Sequence, residues 1–66
     1  MQIETRRAAS ELAYAWADVQ RALAQYEIED SLAVAAQVAQ RLNMLAIRAN
    51  DVKEALRAEQ RARVAA

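Results

Sequence analysis

Glycine, proline, cysteine, histidine and phenylalanine are all missing from the 66 residues. Without cysteine or histidine there is no disulfide framework, no zinc site of the usual kind, no thiol nucleophile and no imidazole base. Without glycine there is no phosphate-cradling loop, because such loops need backbone conformations that only glycine adopts cheaply. No run approaches 18 uninterrupted apolar residues, so no segment is expected to span a bilayer. Glu4 stands where a secretory signal wants a basic start, and no apolar stretch follows it, so a cytoplasmic protein is expected. Nine basic and nine acidic residues cancel, which removes any global field toward nucleic acid or a membrane surface.

Catalytic chemistry has little to work with. Glu27, Glu29 and Asp30 cluster, but in a stretch that reads as a turn, where acids stay solvated and cap the next helix. Ser10 and Ser31 have no base nearby in sequence, and Lys53 sits among charges that keep it protonated. The chain is therefore expected to be no enzyme, with no catalytic, cofactor-binding or metal-binding residues.

What the sequence has is helix formers. Alanine alone supplies 18 of the 66 residues, and leucine, arginine, glutamine and glutamate make up more than half of the others. Ala9, Leu12, Trp16, Val19, Leu23 and Tyr26 recur at alternating steps of three and four, the signature of a coiled-coil seam. Ala35, Val38, Leu42, Leu45, Ala49, Val52 and Leu56 repeat it. The two seams fall out of register across residues 27–31, where Asp30 or Ser31 is a good N-cap. The expectation is an all-α, antiparallel two-helix hairpin occupying residues 1–66 as one domain. Its helices should span about residues 3–26 and 31–64, with the turn at about 27–30. Asp51 and Glu54 resemble a capping box, which marks Asn50–Asp51 as the one place where the second helix could bend. The seam nevertheless runs through that point in phase.

Folding the hairpin about residue 29 pairs Trp16 with Leu42, Val19 with Val38 and Leu12 with Leu45. It places the alanines Ala8, Ala15 and Ala22 on the flank of the seam, with Glu4, Glu11 and Asp18 beyond them. Residues 1–33 carry a net charge of −3 and residues 34–66 a net of +3. Arg48 should accordingly meet Glu11, and Arg41 should meet Asp18. Helix two outruns helix one: residues 57–66 should overhang, with Glu59 and Arg63 at seam positions too polar for a core.

Two helices with one seam each leave much apolar surface open. In so short a chain apolar burial roughly cancels conformational entropy. With no disulfide or metal to help, a homodimer forming a four-helix bundle is expected. Its core candidates are Leu12, Trp16, Val19, Leu23, Val38, Leu42, Leu45, Val52 and Leu56, and truncating Trp16 should cost about 3–5 kcal/mol. Met44 and Ile47 lie off the seam. With Arg48 they form one candidate protein-binding patch, and Tyr14 with Arg7 and Arg21, at seven-residue spacing, forms a second; both combine residue types found at interface hot spots.

The functional expectation is a small interaction module that binds and sequesters, inhibits or adapts another protein. The alternatives are a purely structural self-assembling bundle, natural or designed, and a nucleic-acid-binding hairpin dimer. The last is weakened by zero net charge and by Glu59 among Arg57, Arg61 and Arg63. The alanine- and arginine-rich usage resembles that of chains from GC-rich bacteria or their phages. In size and shape the hairpin is similar to plasmid RNA-binding hairpin dimers, co-chaperones of type III secretion needles and phage-encoded inhibitors, a likeness of architecture alone.

Overall fold

A computed structural model describes residues 2–65. Helix α1 runs Ile3–Ile28 and helix α2 Leu32–Ala65; they pack against each other as a hairpin. The Cα envelope measures 53 × 14 × 10 Å. Its long dimension is that of α2 alone, since 34 helical residues extend about 51 Å. The second helix passes through Asn50 and Asp51 without interruption.

The connection is three residues long, Glu29, Asp30 and Ser31. Among the described residues no backbone has positive φ, so this turn makes no demand for glycine. Glu29 closes α1 in an extended conformation, its N–H donating to the Gln25 carbonyl at 2.8 Å. Ser31 is the N-cap of α2. Its Oγ accepts from the Val34 N–H at 3.2 Å, and its carbonyl accepts from the Ala35 N–H at 2.9 Å. One orphan donor of the new helix is thus satisfied by the residue type best suited to it.

The seam is turned by one column from the sequence expectation. On α1 the buried positions are Thr5, Ala15, Val19 and Ala22, with Ala8 and Leu12 half-buried between them. On α2 they are Val34 and Glu59, with Val38, Leu45, Arg48, Val52 and Ala55 half-buried. The alanines assigned to the flank therefore lie in the contact. Trp16 is 50% exposed and Leu42 47%, and Leu23, Tyr26 and Leu56 are also open. Leu12, Val19, Val38, Leu45 and Val52 stay on the seam as expected. The reason is steric and electrostatic. Helix axes approach to 8–10 Å according to the side chains between them. Alanine between the axes permits the near limit, whereas a central Trp16 would hold the helices apart. Close approach also lets Arg48 reach Glu11 across Ala15, at 3.1 Å.

The open end is held by polar groups. Gln2, the N-cap of α1, has no side-chain cap. Its backbone N–H donates instead to Glu59 Oε1 at 2.8 Å. A carboxylate from α2 thus performs in trans what a capping box does in cis, and it meets the positive end of the α1 dipole. Glu59, expected in a solvated overhang, is only 7% exposed. The overhang begins at Gln60 rather than at residue 57, and its described part adds about 9 Å.

Thr5, 1% exposed, packs in the same register, and among the described residues its Oγ1 has no hydrogen-bond partner. A buried hydroxyl left unsatisfied costs about 1–3 kcal/mol. Thr5→Val keeps the shape and removes the hydroxyl, and the two residues have similar helix propensity. Its thermal midpoint by circular dichroism should rise, with about 1 kcal/mol of added stability. A lower midpoint would mean that the hydroxyl is bonded.

Candidate interaction surfaces

Seven-residue spacing divides the outside of the hairpin into two unlike sides. Leu23, Tyr26, Ala35 and Val38 line one shallow hollow near the turn. Trp16 stands one heptad before Leu23, and Leu42 and Leu56 stand one and three heptads after Ala35. The same side thus continues along both helices as Trp16, Leu23, Tyr26, Leu42 and Leu56. None of these large residues is buried by the hairpin itself. A contiguous row of this kind is unusual for a chain that stays alone.

The other side is charged. Glu11, Tyr14, Ala15, Asp18, Arg41, Met44 and Arg48 line an open groove, which continues toward the turn past Arg21, Gln25 and Gln37. Arg48 stands in its wall with ion pairs to Glu11 at 3.1 Å and to Asp51 at 3.5 Å. Its stem lies over the alanine seam while the guanidinium stays at the surface, an arrangement suited to arginine's long apolar chain. The expected pair between Arg41 and Asp18 does not form. Asp18 pairs instead with Arg21, one turn further along its own helix. An i,i+3 partner on the same helix requires ordering only one segment, and that favours it over a reach across the groove.

Three residues of the two patches read as separate in the sequence come together in space, and three do not. Tyr14, Met44 and Arg48 share the groove, with Tyr14 74% exposed. Ile47 is exposed and lies outside the lining. Arg21 belongs to the adjoining hollow and is engaged by Asp18, while Arg7 is exposed and is not part of either lining. Arg41 and Glu11 complete the groove and were read in the sequence only as register charges. Their sign that they do more is position, since each sits one helical turn from a groove aromatic or methionine.

Remaining chemistry is sparse. Glu29 at the turn accepts from Ser31 Oγ at 3.4 Å. Among the described residues no three carboxylates converge on a point that could hold a metal ion, and no helix is long and apolar enough to cross a membrane. At the far end Arg57 pairs with Glu54 at 3.3 Å, which leaves Arg61 and Arg63 as the exposed bases of the tail. No protein-family model, curated protein or solved structure matches this chain.

The Glu11–Arg48 pair is about two-fifths exposed on both sides, so solvent screens it and its strength should be small. A double-mutant cycle with Glu11→Ala and Arg48→Ala should give a coupling of about 0.5 kcal/mol at low salt, fading in high salt. Arg48→Ala alone should cost more than Glu11→Ala, because it also strips apolar stem from the seam. Equal single effects would contradict that role for the stem.

Proposed function

We propose that this chain is a non-enzymatic protein-interaction module, a helical hairpin that completes a four-helix bundle through its apolar side and receives another protein on its charged side. The observation that carries the reading is the row Trp16, Leu23, Tyr26, Leu42 and Leu56, large apolar residues left open along one side of the fold. Among the described residues the hairpin buries only Ala15, Val19, Ala22 and Val34 as apolar core. Burying a large apolar side chain contributes about 1.5–3 kcal/mol, and ordering each residue costs about 1–2 kcal/mol in backbone entropy. So thin a core does not hold 66 residues without further contact.

The groove around Tyr14, Met44 and Arg48 supports the second part. An exposed aromatic, a flexible thioether and a partly ordered arginine form the combination that dominates protein interfaces. Its mixed charge, Glu11 and Asp18 against Arg41 and Arg48, suits a polypeptide partner carrying both signs rather than a polyanion. Sequestering, inhibiting or adapting that partner are the activities open to a surface with no reactive group. The purely structural alternative, a bundle with no partner but itself, is favoured by the apolar side taken alone.

Two measurements test the reading. Sedimentation should give about twice the 7.4 kDa chain mass, and the thermal midpoint should rise with protein concentration, as it does when folding and association are linked. A cooperative, concentration-independent monomer would overturn it. Trp16→Ala should lower that midpoint and shift the mass toward monomer. For the groove, Tyr14→Ala and Ile47→Glu should leave the dimer intact, and at least Tyr14→Ala should reduce capture of a protein partner from a bacterial lysate. Undiminished capture by both variants would move the binding site to the tail beyond Glu59, whereas no capture by the unaltered chain would return the assignment to the self-assembling bundle.

A further inference from the structure

We infer that the apolar side is covered by a second copy of this chain, stacked with its turn against the open end of the first, about a two-fold axis level with Trp16. The inference rests on reading that side as a docking face, and adds what occupies it and in which direction. Area points to an occupant of this size. The chain exposes 5111 Å², whereas a compact monomer of its mass is expected to expose about 4,200 Å². The excess of about 900 Å² is close to the roughly 800 Å² that each partner contributes to a stable interface.

Direction comes from the columns bordering the apolar row. On α1 that border reads Arg6, Ala13, Gln20 and Glu27, and on α2 Leu32, Ala39, Ala46 and Lys53. The contacts Glu11–Arg48 and Gln2–Glu59 set the level of each residue along the hairpin, so Lys53 stands beside Arg6, and Glu27 beside Leu32. Stacking turn on turn would lay α1 over α2 of the partner and bring Arg6 against Lys53 of the partner subunit, a like-charge contact. Stacking turn on open end lays α1 over α1. Glu27 then meets Arg6 of the partner subunit, twice by symmetry, with Trp16 midway between the two contacts. The same arrangement sets Leu23 over the small pair Ala9 and Ala13, and gives the exposed Leu32 a neighbour in Leu56. Leu23 thus falls opposite small residues, and Trp16 meets Trp16 of the partner subunit at the axis, where the two rings cover each other.

A second observation concerns the same charges. Arg6 lies at the end of the first turn of α1 and Glu27 in its last turn, each against the helix dipole, and α1 has no base in its last turn to compensate. Among the described residues neither makes an ion pair within the chain. Both charges are locally unfavourable and unpaired, a pattern expected where the partner is supplied by another copy.

The test is charge reversal in the full chain at low ionic strength, read by sedimentation and by helical circular dichroism. Glu27→Arg and Arg6→Glu each improve the fit to their own helix dipole, so weakened association in either is not a defect of the helix. Each alone should dimerise about tenfold more weakly than wild type, with loss of helicity where folding depends on pairing. An equimolar mixture should return to near wild-type affinity, because both contacts in the mixed dimer are again of opposite sign. If wild type is a stable monomer, both the docking reading and this geometry fail. If wild type dimerises but the mixture is no tighter than the single variants, the docking reading stands and this geometry falls. Tighter dimers of Arg6→Glu alone, with Glu27→Arg unchanged, would mark the turn-on-turn stack instead.

Discussion

The hairpin depends on alanine standing between the two helices. A seam of Ala8, Ala15 and Ala22 broken by Leu12 and Val19 lets the axes come close, and close approach is itself a gain in dispersion contacts. The same small residues remove little apolar surface from water. Val19 is almost wholly enclosed, at 1% exposure, and among the described residues the only other sizeable apolar one that is buried is Val34. A seam that packs tightly and buries little obliges the larger side chains to find cover elsewhere. They stand as a row on one side of the molecule.

Close packing over alanine and the polar contacts that cross it together select which of two available columns becomes the seam. Each helix carries an alanine-and-charge column and a large-apolar column flanking a shared row of leucine and valine. Hydrophobicity alone would turn Trp16, Leu23, Leu42 and Leu56 inward, since that contact removes the most area from water in an isolated pair. Instead Glu59 reaches the amino terminus of α1, Arg48 reaches Glu11, and Ser31 caps α2. Each contribution is modest, but the two that cross between the helices, at the open end and further in, agree on one register. Once that register is adopted the apolar column faces outward along its whole length. A second contact of large area then becomes available without competing with the first.

This explains which features were legible in the sequence. Helix identity and number followed from composition and from the step of three and four. Both helix boundaries near the turn lay within two residues of expectation, because the out-of-phase stretch at 27–31 and the capping serine mark them independently. The Glu11–Arg48 contact was legible too, since charge asymmetry between the halves fixes an antiparallel pairing. The rotation of the seam was not. Leu12 and Val19 belong equally to a contact completed by Trp16 and Leu23 and to one completed by Ala15 and Ala22. Periodicity of three and four is the same for both, and choosing by size favours the wrong one, because Trp16, Leu23, Leu42 and Leu56 stay open. Thr5 and Glu59 carried the missing signal. Thr5 is one heptad before Leu12 and Glu59 one heptad after Val52, so both are seam positions by spacing. Their polarity argued for solvent only so long as they were considered apart, whereas together they bring a carboxylate to the uncapped end of a helix. The joining of Tyr14 and Met44 in one groove was hidden for the same reason, since it follows from the rotation.

Leaving the largest side chains off the intramolecular seam also sets the stability of the parts. Trp16 removed from a fully enclosed site would cost about 3–5 kcal/mol. In the hairpin it is half exposed, so much of that stabilisation is realised only when a further surface closes over it. A second surface closing over the apolar side, as proposed, would therefore strengthen the whole fold, including the groove lined by Tyr14, Met44 and Arg48 on the opposite side. The two sides share the same pair of helices and the same alanine seam between them. A surface that binds through one side of such a pair is ordered by what covers the other, and the coupling needs no moving part beyond the equilibrium between a loose hairpin and a packed one.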